Sequence, residues 1–252
     1  MKTMLITGAG SGIGRAVAEL MYQQGWHLGV LDVNPEPLLE LVSAWSADRY
    51  TLLQADVTNA NQVADALAQY MEGRPHLDVL FNCAGVLEVG DFESIDLERH
   101  QRVLEINNRG VLNCTYRAFP YLQRTPGARV ISMSSASSLF GVPGFASYSA
   151  SKFWVKGFTE SLSVEWARHD ITVVDIEPPF VGTPMLAGKS SKIIERLGIK
   201  LQAGDIARQV LAAVTADGMH HPVGTEYKAL RLAGKLLPDR ATRAVMKLLS
   251  GY

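Results

Sequence analysis

Short apolar runs alternate with longer amphipathic stretches through most of the chain. Six runs have the apolar, partly β-branched character of buried strands, and they cover 4–7, 28–31, 51–54, 79–82, 130–133 and 172–176. Apolar positions recur at the helical period over about 13–24, 35–46, 59–71, 96–123 and 147–168. A further helical pattern at 204–216 precedes an apolar segment near 222–227, which we expect to add an edge strand. This alternation predicts an α/β fold, a doubly wound parallel sheet of about seven strands with helices on both faces.

Length and composition restrict the classes of protein to which the chain can belong. Its 252 residues suit one domain spanning 1–252, and 47% hydrophobic residues are enough for a large core. The net charge of −1 argues against a general nucleic-acid binder. Neither the cysteines Cys83 and Cys114 nor the pair His220 and His221 has partners at a metal-binding spacing, so no metal site is predicted. With no secretory pattern at the start and no apolar run of membrane-spanning length, we expect a cytoplasmic protein.

A glycine-rich loop follows the first predicted strand and opens the first predicted helix, in the stretch Thr7-Gly8-Ala9-Gly10-Ser11-Gly12-Ile13-Gly14. At such a turn the free N–H groups of the helix bind a pyrophosphate, and glycines let the backbone approach it closely. The position therefore predicts a dinucleotide-binding fold of the Rossmann type. Asp32 ends the second strand eighteen residues after Gly14, where a carboxylate accepts hydrogen bonds from the adenosine ribose and repels a 2′-phosphate. Because the uncharged Val33 and Asn34 follow Asp32, NAD is favoured over NADP.

Tyr148 and Lys152 lie four residues apart in a predicted helix, which places the phenol and the ammonium one turn apart on the same face. A free phenol has a pKa of about 10 and is a poor base at neutral pH. A positive charge beside it favours the phenolate, so the pair can act as a general acid/base on the proton of an alcohol. Such pairs also occur on ordinary helix surfaces, so the spacing alone does not establish catalysis.

With the glycine loop, Tyr148 and Lys152 in place, the chain resembles the short-chain dehydrogenase/reductase family from Thr3 to about Thr183. Further family motifs are matched in order by Asp56-Val57, by Asn82-Cys83-Ala84-Gly85 with Cys83 as a departure, and by Asn107. The family spacing places the catalytic serine thirteen residues before the tyrosine, at Ser135, with Ser134 as the alternative. A second departure is Pro178-Pro179, where the family has Pro-Gly, so the path of that loop is expected to differ.

The resemblance implies a set of site residues. The catalytic residues are Asn107, Ser135, Tyr148 and Lys152. The cofactor-binding residues are Gly8, Ser11, Gly12, Ile13, Gly14, Asp32, Asp56, Val57, Asn82, Ala84, Gly85, Tyr148, Lys152, Pro178, Val181 and Thr183.

The activity that the resemblance implies is an NAD(H)-dependent oxidoreduction between a secondary alcohol and a ketone. Tyr148 would transfer the proton, Lys152 would lower the pKa of the phenol and hold the nicotinamide ribose, and Ser135 would orient the substrate oxygen. Asn107 is similar to the residue that holds a water in the family's proton relay. A dinucleotide-binding regulator or scaffold without turnover is the alternative, and the intact set of four catalytic residues argues against it.

The last third of the chain holds two segments that we expect to shape function. Residues 184–203 suggest a substrate lid over an apolar pocket for a small hydrophobic alcohol or ketone, with Gly188 and Gly198 as the expected hinges. Its apolar residues are Met185, Leu186, Ile193, Ile194, Leu197, Ile199 and Leu201. Residues 226–252 are basic and amphipathic, as expected for two short helices split at Pro238. Such a segment fits either a cap on a subunit or protein surface, which we favour, or peripheral contact with a membrane. Family members pair through the helices at 96–123 and 147–168, so a homodimer or homotetramer is expected, with the outward apolar residues Phe153, Trp154, Phe158, Leu162 and Trp166.

Overall fold

The apolar runs of the sequence form the strands of a parallel sheet, which confirms the predicted fold class. The computed structural model describes residues 1–234 and 238–252. Among these residues, seven strands form one sheet in the order β3-β2-β1-β4-β5-β6-β9, and β7 pairs with β8 separately. The strands are β1 (Thr3–Thr7), β2 (His27–Asp32), β3 (Tyr50–Gln54), β4 (Val79–Asn82), β5 (Arg129–Met133), β6 (Thr172–Glu177), β7 (Val181–Gly182), β8 (Leu201–Gln202) and β9 (His220–Pro222).

Helices connect the strands and cover both faces of the sheet. They are α1 (Gly12–Gln23), α2 (Glu36–Val42), α3 (Ala60–Met71), α4 (Leu97–Leu104), α5 (Gly110–Leu122), α6 (Ala146–Glu165), α7 (Lys192–Leu197), α8 (Ala203–Ala213), α9 (Thr225–Gly234) and α10 (Asp239–Ser250). Helices α1 and α8 bury one core with the sheet, and α3, α5 and α6 bury the other. Two covered faces explain why the central strands are continuously apolar rather than alternating.

The order of the strands reverses between β1 and β4. Strand β1 pairs with β2 on one side and with β4 on the other, in parallel register in both cases. The loops after β1 and β4 therefore leave the sheet on opposite sides and open a crevice at the carboxyl ends of the strands. In doubly wound sheets ligands bind at this switch point.

Several predicted helix bounds were wrong. The stretch 35–46 forms only α2, followed by a turn of 3₁₀ helix at Ala47–Arg49. The stretch 96–123 is one helical path, but a π-helical turn at Glu105–Arg109 separates α4 from α5. The π turn inserts an extra residue into the helix, and no apolar period in the sequence reports such an insertion.

The last strand was predicted at the wrong place. Strand β9 is His220–Pro222 and pairs with β6, whereas Tyr227 lies in α9. Gly224 has a φ of +87°, and the helix begins directly after it. Tyr227 is buried, and its hydroxyl donates to the Glu177 carboxylate, so the apolar character of this segment reflects the buried face of a helix.

The apolar residues of the predicted helix 147–168 do not all point outward as predicted. Leu162 is buried in the core, and Phe158 and Trp166 pack against the same core. Phe153 remains 43% exposed. Side chains at helical spacing can serve the core as well as a partner, and only the packing of α6 on the sheet separates the two cases.

Two helices form at the C-terminal end, as predicted, and α10 begins directly after Pro238. Lys235, Leu236 and Leu237 of this segment lie outside the described residues. Helix α10 packs on α7, where the Arg196 guanidinium donates to the Leu248 carbonyl. No helix in the described parts of the chain has the length and apolar character needed to cross a membrane.

Candidate active site

A cleft with a cavity of about 340 Å³ opens at the carboxyl ends of the strands, across the switch point between β1 and β4. Most of the residues singled out in the sequence line it, from the glycine loop at one end to Tyr148 at the other. The lining residues from that set are Gly8, Ser11, Ile13, Gly14, Asp32, Asp56, Val57, Ala84, Gly85, Ser135, Tyr148, Lys152, Pro178, Val181 and Thr183. Gly12, Asn82 and Asn107 do not line it.

The glycine loop is folded too tightly for side chains. Gly8 has a φ of +67°, and a Cβ on Gly14 would stand 2.1 Å from the Gly8 carbonyl oxygen. Ser11 precedes α1 in extended conformation, and its side chain makes no capping hydrogen bond. The N–H groups in the first turn of α1 are therefore left for a ligand, and such a helix end attracts negative charge. This cradle fits the pyrophosphate of a dinucleotide.

Asp32 lies at the far end of the same cleft from Tyr148. Its Oδ2 accepts the Gly10 N–H at 3.0 Å and its Oδ1 accepts the Asn34 N–H at 3.2 Å, so the carboxylate is held in place by the backbone. In the described part of the chain, the basic side chains that line the cavity are Arg102 and Lys152. Neither belongs to the glycine loop or to the turn after β2. The surroundings of Asp32 therefore favour hydroxyl groups over a phosphate.

Asn82 lies behind the cleft rather than in it. The side chain is buried, and its Nδ2 donates to Thr115 Oγ1 at 3.0 Å and to Ser132 Oγ at 3.3 Å. The backbone after Asn82 is fastened by Thr7, whose Oγ1 accepts the N–H groups of Cys83 at 3.0 Å and Ala84 at 3.1 Å. Asn82 therefore ties β4 to α5 and β5, and Ala84 and Gly85 form the floor of the cleft.

Tyr148, Ser135 and Lys152 come together at the other end of the cleft. Burial raises the pKa of Tyr148 to about 12, and the Ser135 hydroxyl beside the phenol acts to lower it. Ser134, the alternative, points its hydroxyl at the Lys152 carbonyl in α6, at 3.5 Å. The structure therefore favours Ser135 as the partner of Tyr148.

Lys152 reaches from α6 across to the sheet. Its Nζ donates to the Met133 carbonyl at 2.7 Å and lies 5.5 Å from the centre of the Tyr148 ring. Burial lowers the pKa of Lys152 to about 8, while Cys83 and Asp175 oppose the change. Burial is the largest cause of the raised pKa of Tyr148, with Ser135 opposing the rise and Cys83 adding to it. That Lys152 lowers the pKa of the phenol stays a prediction.

Asn107 is buried in the π turn and supports the site from behind. Its Oδ1 accepts the Val86 N–H at 2.8 Å, and its Nδ2 donates to the Val86 carbonyl at 3.0 Å and to Ser151 Oγ at 3.1 Å. Ser151 lies beside Lys152 in α6, and Val86 lies in the cleft wall. Asn108 adds a second tie, from its Nδ2 to the Ser151 carbonyl at 2.8 Å. The sequence favoured Asn107 over the adjacent Asn108 because Gly110 fixes the register, and the contact of Asn108 with α6 appears only in the folded structure.

A sequence profile of the family described as short chain dehydrogenase matches residues 2–193. The chain belongs to the short-chain dehydrogenase family. It is 35% identical over 188 residues to Oxidoreductase UcpA of Salmonella typhimurium, which covers 73% of this chain and 71% of that protein. It is 27% identical over 221 residues to a NAD-dependent glycerol dehydrogenase of Listeria innocua, covering 88% and 82%. A short chain dehydrogenase structure from Burkholderia cenocepacia in complex with NADP has a TM-score of 0.82 and 25% identity, with 99% of both chains covered.

The loop after β6 forms one wall of the cleft in this short-chain dehydrogenase. Pro178, Pro179, Phe180, Val181 and Thr183 all line it. The Ala136 N–H donates to the Pro178 carbonyl at 2.8 Å, and β7 pairs with β8 directly afterwards. Pro179 therefore lies in a loop whose start is fixed by the Ala136 hydrogen bond and whose end is fixed by the pairing of β7 with β8. The pairing of β7 with β8 was not predicted, since strands of two residues leave no pattern in the sequence.

An apolar wall closes the substrate end of the cleft. Leu87, Phe145, Ile193 and Ile194 form a buried cluster, and Tyr148, Phe180, Leu186 and Leu249 pack against it. Met185 and Leu186 from the segment 184–203 line the cavity, whereas Leu197 and Ile199 are more than two-fifths exposed. Gly188 and Gly198, the expected hinges, have φ values of +72° and +70°. The C-terminal helix thus reaches the substrate side of the cleft through Leu249.

A buried network of charges, missed in the sequence, lies under α6. The Nδ1 of His220 is 3.0 Å from the Asp175 Oδ2, and its Nε2 is 3.2 Å from the Glu160 Oε1. Glu177 is fully buried beside Arg231. The expectation that His220 has no carboxylate partner was wrong, because its partners come from β6 and α6 rather than from its own segment.

Proposed function

We propose that this short-chain dehydrogenase is an NAD(H)-dependent enzyme that interconverts a secondary alcohol and a ketone, with Tyr148 as the general acid/base. The observation that carries the proposal is that Tyr148, Ser135 and Lys152 share one cleft with the glycine loop and Asp32. A site of this kind can place a hydride acceptor and a proton acceptor on the same carbinol group. NAD supplies the hydride chemistry when bound.

The protein's own side chains supply orientation and proton transfer. In the oxidising direction the Tyr148 oxygen takes the proton of the alcohol, and in reduction it returns that proton to the substrate oxygen. Ser135 donates its hydroxyl hydrogen bond to the substrate oxygen, since its own Oγ accepts the Ser137 N–H at 3.1 Å and keeps its proton available. Lys152 presents a cation beside the phenol and the cofactor ribose. Asn107 holds α6 and the wall at Val86 so that these groups keep their positions.

The preference for NAD rests on the charge at Asp32. A 2′-phosphate would meet this carboxylate without a compensating basic side chain from the loop around it. The relative from Listeria innocua is named as NAD-dependent, and the Burkholderia cenocepacia structure holds NADP. Relatives of both kinds exist, so the argument depends on Asp32 in this chain.

The substrate is a small, mainly apolar alcohol or ketone. Phe145, Phe180 and Leu186 line the substrate end, and Phe145 and Phe180 stand with their ring centres 5.9 Å apart. An apolar lining with a few polar groups at one end is typical of pockets for such ligands. Residues 184–203 act as the lid over this pocket.

The assembly of the protein can be argued from its exposed apolar residues. Tyr116 on α5 and Val164 on α6 are 72% and 75% exposed, which supports a homodimer or homotetramer through these helices. The packing of α10 on α7 supports a surface cap as the role of 226–252. Leu232 and Leu248 remain exposed beside basic residues, so peripheral membrane contact stays the alternative for this segment.

The experiment is an NADH absorbance assay over a panel of alcohols and ketones, with Tyr148→Phe and the matched control variant Tyr50→Phe. The Tyr148→Phe variant keeps the ring but loses the proton carrier, so its turnover should collapse while NADH still binds. The Tyr50→Phe variant should turn over like the parent, because Tyr50 begins β3 at the opposite end of the strands from the cleft.

A loss of less than about tenfold in Tyr148→Phe, equivalent to about 1.4 kcal/mol of barrier, would contradict the assignment of Tyr148. Binding of NADH without turnover of any substrate in the panel would favour the alternative, a dinucleotide-binding regulator or scaffold.

A further inference from the structure

A row of charged residues follows one face of α6 away from the cleft. Lys152, Lys156 and Glu160 recur at intervals of four residues, so they lie along one side of the helix. Helix α6 packs on β6, and His220 joins the two by contacting both Glu160 and Asp175. The row of α6 therefore runs above the buried carboxylates of β6.

The carboxylates of β6 are compensated by cationic side chains of the chain itself. Asp175 and Glu177 have no exposed side-chain surface, and donor atoms of Asp175, Glu177 and His220 lie within 4.8 Å of one another. A divalent cation would fit such a donor set, but Arg231 Nε already stands 3.3 Å from the Glu177 Oε2. Burial acts to lower the pKa of His220, but the hydrogen bond that His220 donates to Asp175 and the negative charges of Asp175 and Glu177 together outweigh burial, so the pKa is raised. His220 and Arg231 thus take the place that a metal would occupy.

Lys152 is anchored on β5, the strand that pairs with β6. The Lys152 Nζ donates to the Met133 carbonyl, and Met133 pairs with Ile176, the residue after Asp175. From the spacing of strands and residues in a sheet, the Cα atoms of Met133 and Asp175 are about 6 Å apart. The Lys152 ammonium and the Asp175 carboxylate are therefore both buried over neighbouring strands, on the order of 10 Å apart.

Few other charges face Lys152. Tyr148 approaches it from its own helix and Cys83 from the end of β4. Burial raises the pKa of Cys83 to about 12, so the thiol is neutral near pH 7. Around Asp175 the charged groups are His220, Glu177, Lys156 and Arg231. Asp175 is then the source of negative charge that acts on Lys152 within the described residues.

We propose that Asp175 is a positioning residue that acts through Lys152, because its buried carboxylate beneath α6 stabilises the lysine ammonium in the charged state. This inference rests on the proposed function for its catalytic meaning. Burial alone favours a neutral amine at this depth, and a neutral amine would lose its attraction for both the phenolate and the cofactor ribose. The carboxylate keeps the ammonium charged without entering the cleft.

The test measures the charge of Lys152 without using substrate. An amine reacts with acetic anhydride only when neutral, so the pH dependence of Lys152 labelling, read by peptide mass spectrometry, gives a titration midpoint. In Asp175→Asn we expect this midpoint to fall by about one pH unit, from unit charges about 10 Å apart at an effective dielectric constant of about 20. The pH dependence of kcat should move in the same direction. At low pH Lys152 is charged in both the parent and Asp175→Asn, so we expect the two proteins to have the same KM for the cofactor there.

Two further variants separate electrostatics from disruption of the network. Glu160→Gln removes a half-exposed carboxylate of the same network that lies eight residues from Lys152, about 12 Å along the helix, so its midpoint should stay near that of the parent. Asp175→Asn combined with His220→Gln replaces the buried ion pair by two amides and should show the same acid shift as Asp175→Asn. The double variant keeps the test valid if an unpaired His220 prevents folding.

A midpoint in both Asp175 variants within about 0.3 pH units of the parent, well below the Coulomb expectation, would overturn the proposal. An equal shift in Glu160→Gln would overturn it as well, because the effect would then not belong to Asp175. If the parent shows no turnover but the Lys152 midpoint shifts in Asp175→Asn, the proposed function is contradicted and the role of Asp175 is supported. If the parent turns over substrate but the midpoint does not shift, the proposed function is supported and the role of Asp175 is contradicted.

Discussion

Replacing Arg231 by methionine should destabilise the protein strongly, because Glu177 would keep a buried carboxylate without its guanidinium partner. Glu177 has no exposed side-chain surface, the Arg231 side chain is 16% exposed, and Nε lies 3.3 Å from Oε2. Methionine retains much of the apolar stem of Arg231, so the change removes mainly the charge. The Tyr227 hydroxyl would still donate to the same oxygen at 3.3 Å.

The size of the effect follows from this distance. Two unit charges at 3.3 Å interact by about 5 kcal/mol at an effective dielectric constant of about 20. Removing one partner of a buried pair typically costs about 3–5 kcal/mol, since the other charge is left without compensation. Burial already raises the pKa of Glu177, and the loss of Arg231 raises it further, so proton uptake limits the cost. We therefore expect about 3 kcal/mol at pH 7, at the lower end of the range for broken buried pairs.

Urea unfolding of four proteins measures this value, namely the parent, Arg231→Met, Glu177→Gln and the double variant. In the Glu177→Gln background no buried charge remains at this position, so Arg231→Met should cost about 1 kcal/mol and the coupling between the two sites should be about 2 kcal/mol. The exposed Arg240 of α10 provides the matched control, and Arg240→Met should stay within about 0.5 kcal/mol of the parent.

The pH dependence gives an independent check. The extra cost of Arg231→Met should be present at neutral pH and should shrink as the pH falls through the folded-state pKa of Glu177, because the protonated carboxyl needs no cation. The reasoning is refuted if Arg231→Met costs the same in both backgrounds, or if its cost does not decrease in acid.

Two further predictions concern the cofactor and the histidines of β9. Asp32→Asn keeps an acceptor for the Gly10 N–H but removes the negative charge. The ratio of the Kd for NADPH to the Kd for NADH should therefore fall by about tenfold or more, which is about 1.4 kcal/mol. An unchanged ratio in a binding titration would count against a role of Asp32 in selecting the ribose hydroxyls. His220 and His221 should show opposite pH effects on urea stability. The pKa of His220 is raised, so the stability it contributes is complete below its unfolded pKa of about 6.5 and is lost as the pH rises through the folded value. Burial lowers the pKa of His221, so the stability that His221 contributes is present above pH about 6.5 and is lost as the pH falls. If the free energy of unfolding of His220→Gln and His221→Gln depended on pH with equal slopes, both assignments would be contradicted.

Local pattern was sufficient for the strands of the sheet and for the cofactor end of the cleft. Continuous apolar runs such as Met4–Ile6 report burial on both faces of a sheet, and a glycine loop at a strand-to-helix turn restricts the backbone by sterics alone. The spacing of Tyr148 and Lys152 likewise follows from the pitch of a helix. These features depend on neighbours in the chain, so they could be read from the residues in order.

Contacts between distant segments could not be read in this way. The π turn at Glu105–Arg109, the role of Asn82 behind the cleft, and the choice of Ser135 over Ser134 all depend on what packs against each residue. Asp175 and His220 are 45 residues apart in sequence and only 3.0 Å apart in space, because β9 adds to the edge of β6. A buried charge is stabilised by whichever partner the fold brings to it, and no local period encodes that partner. The sequence alone was therefore enough to propose Tyr148, Lys152 and Asp32 as site residues. The charge state of Lys152 and the compensation of Glu177 arise only when the sheet and the helices enclose these side chains.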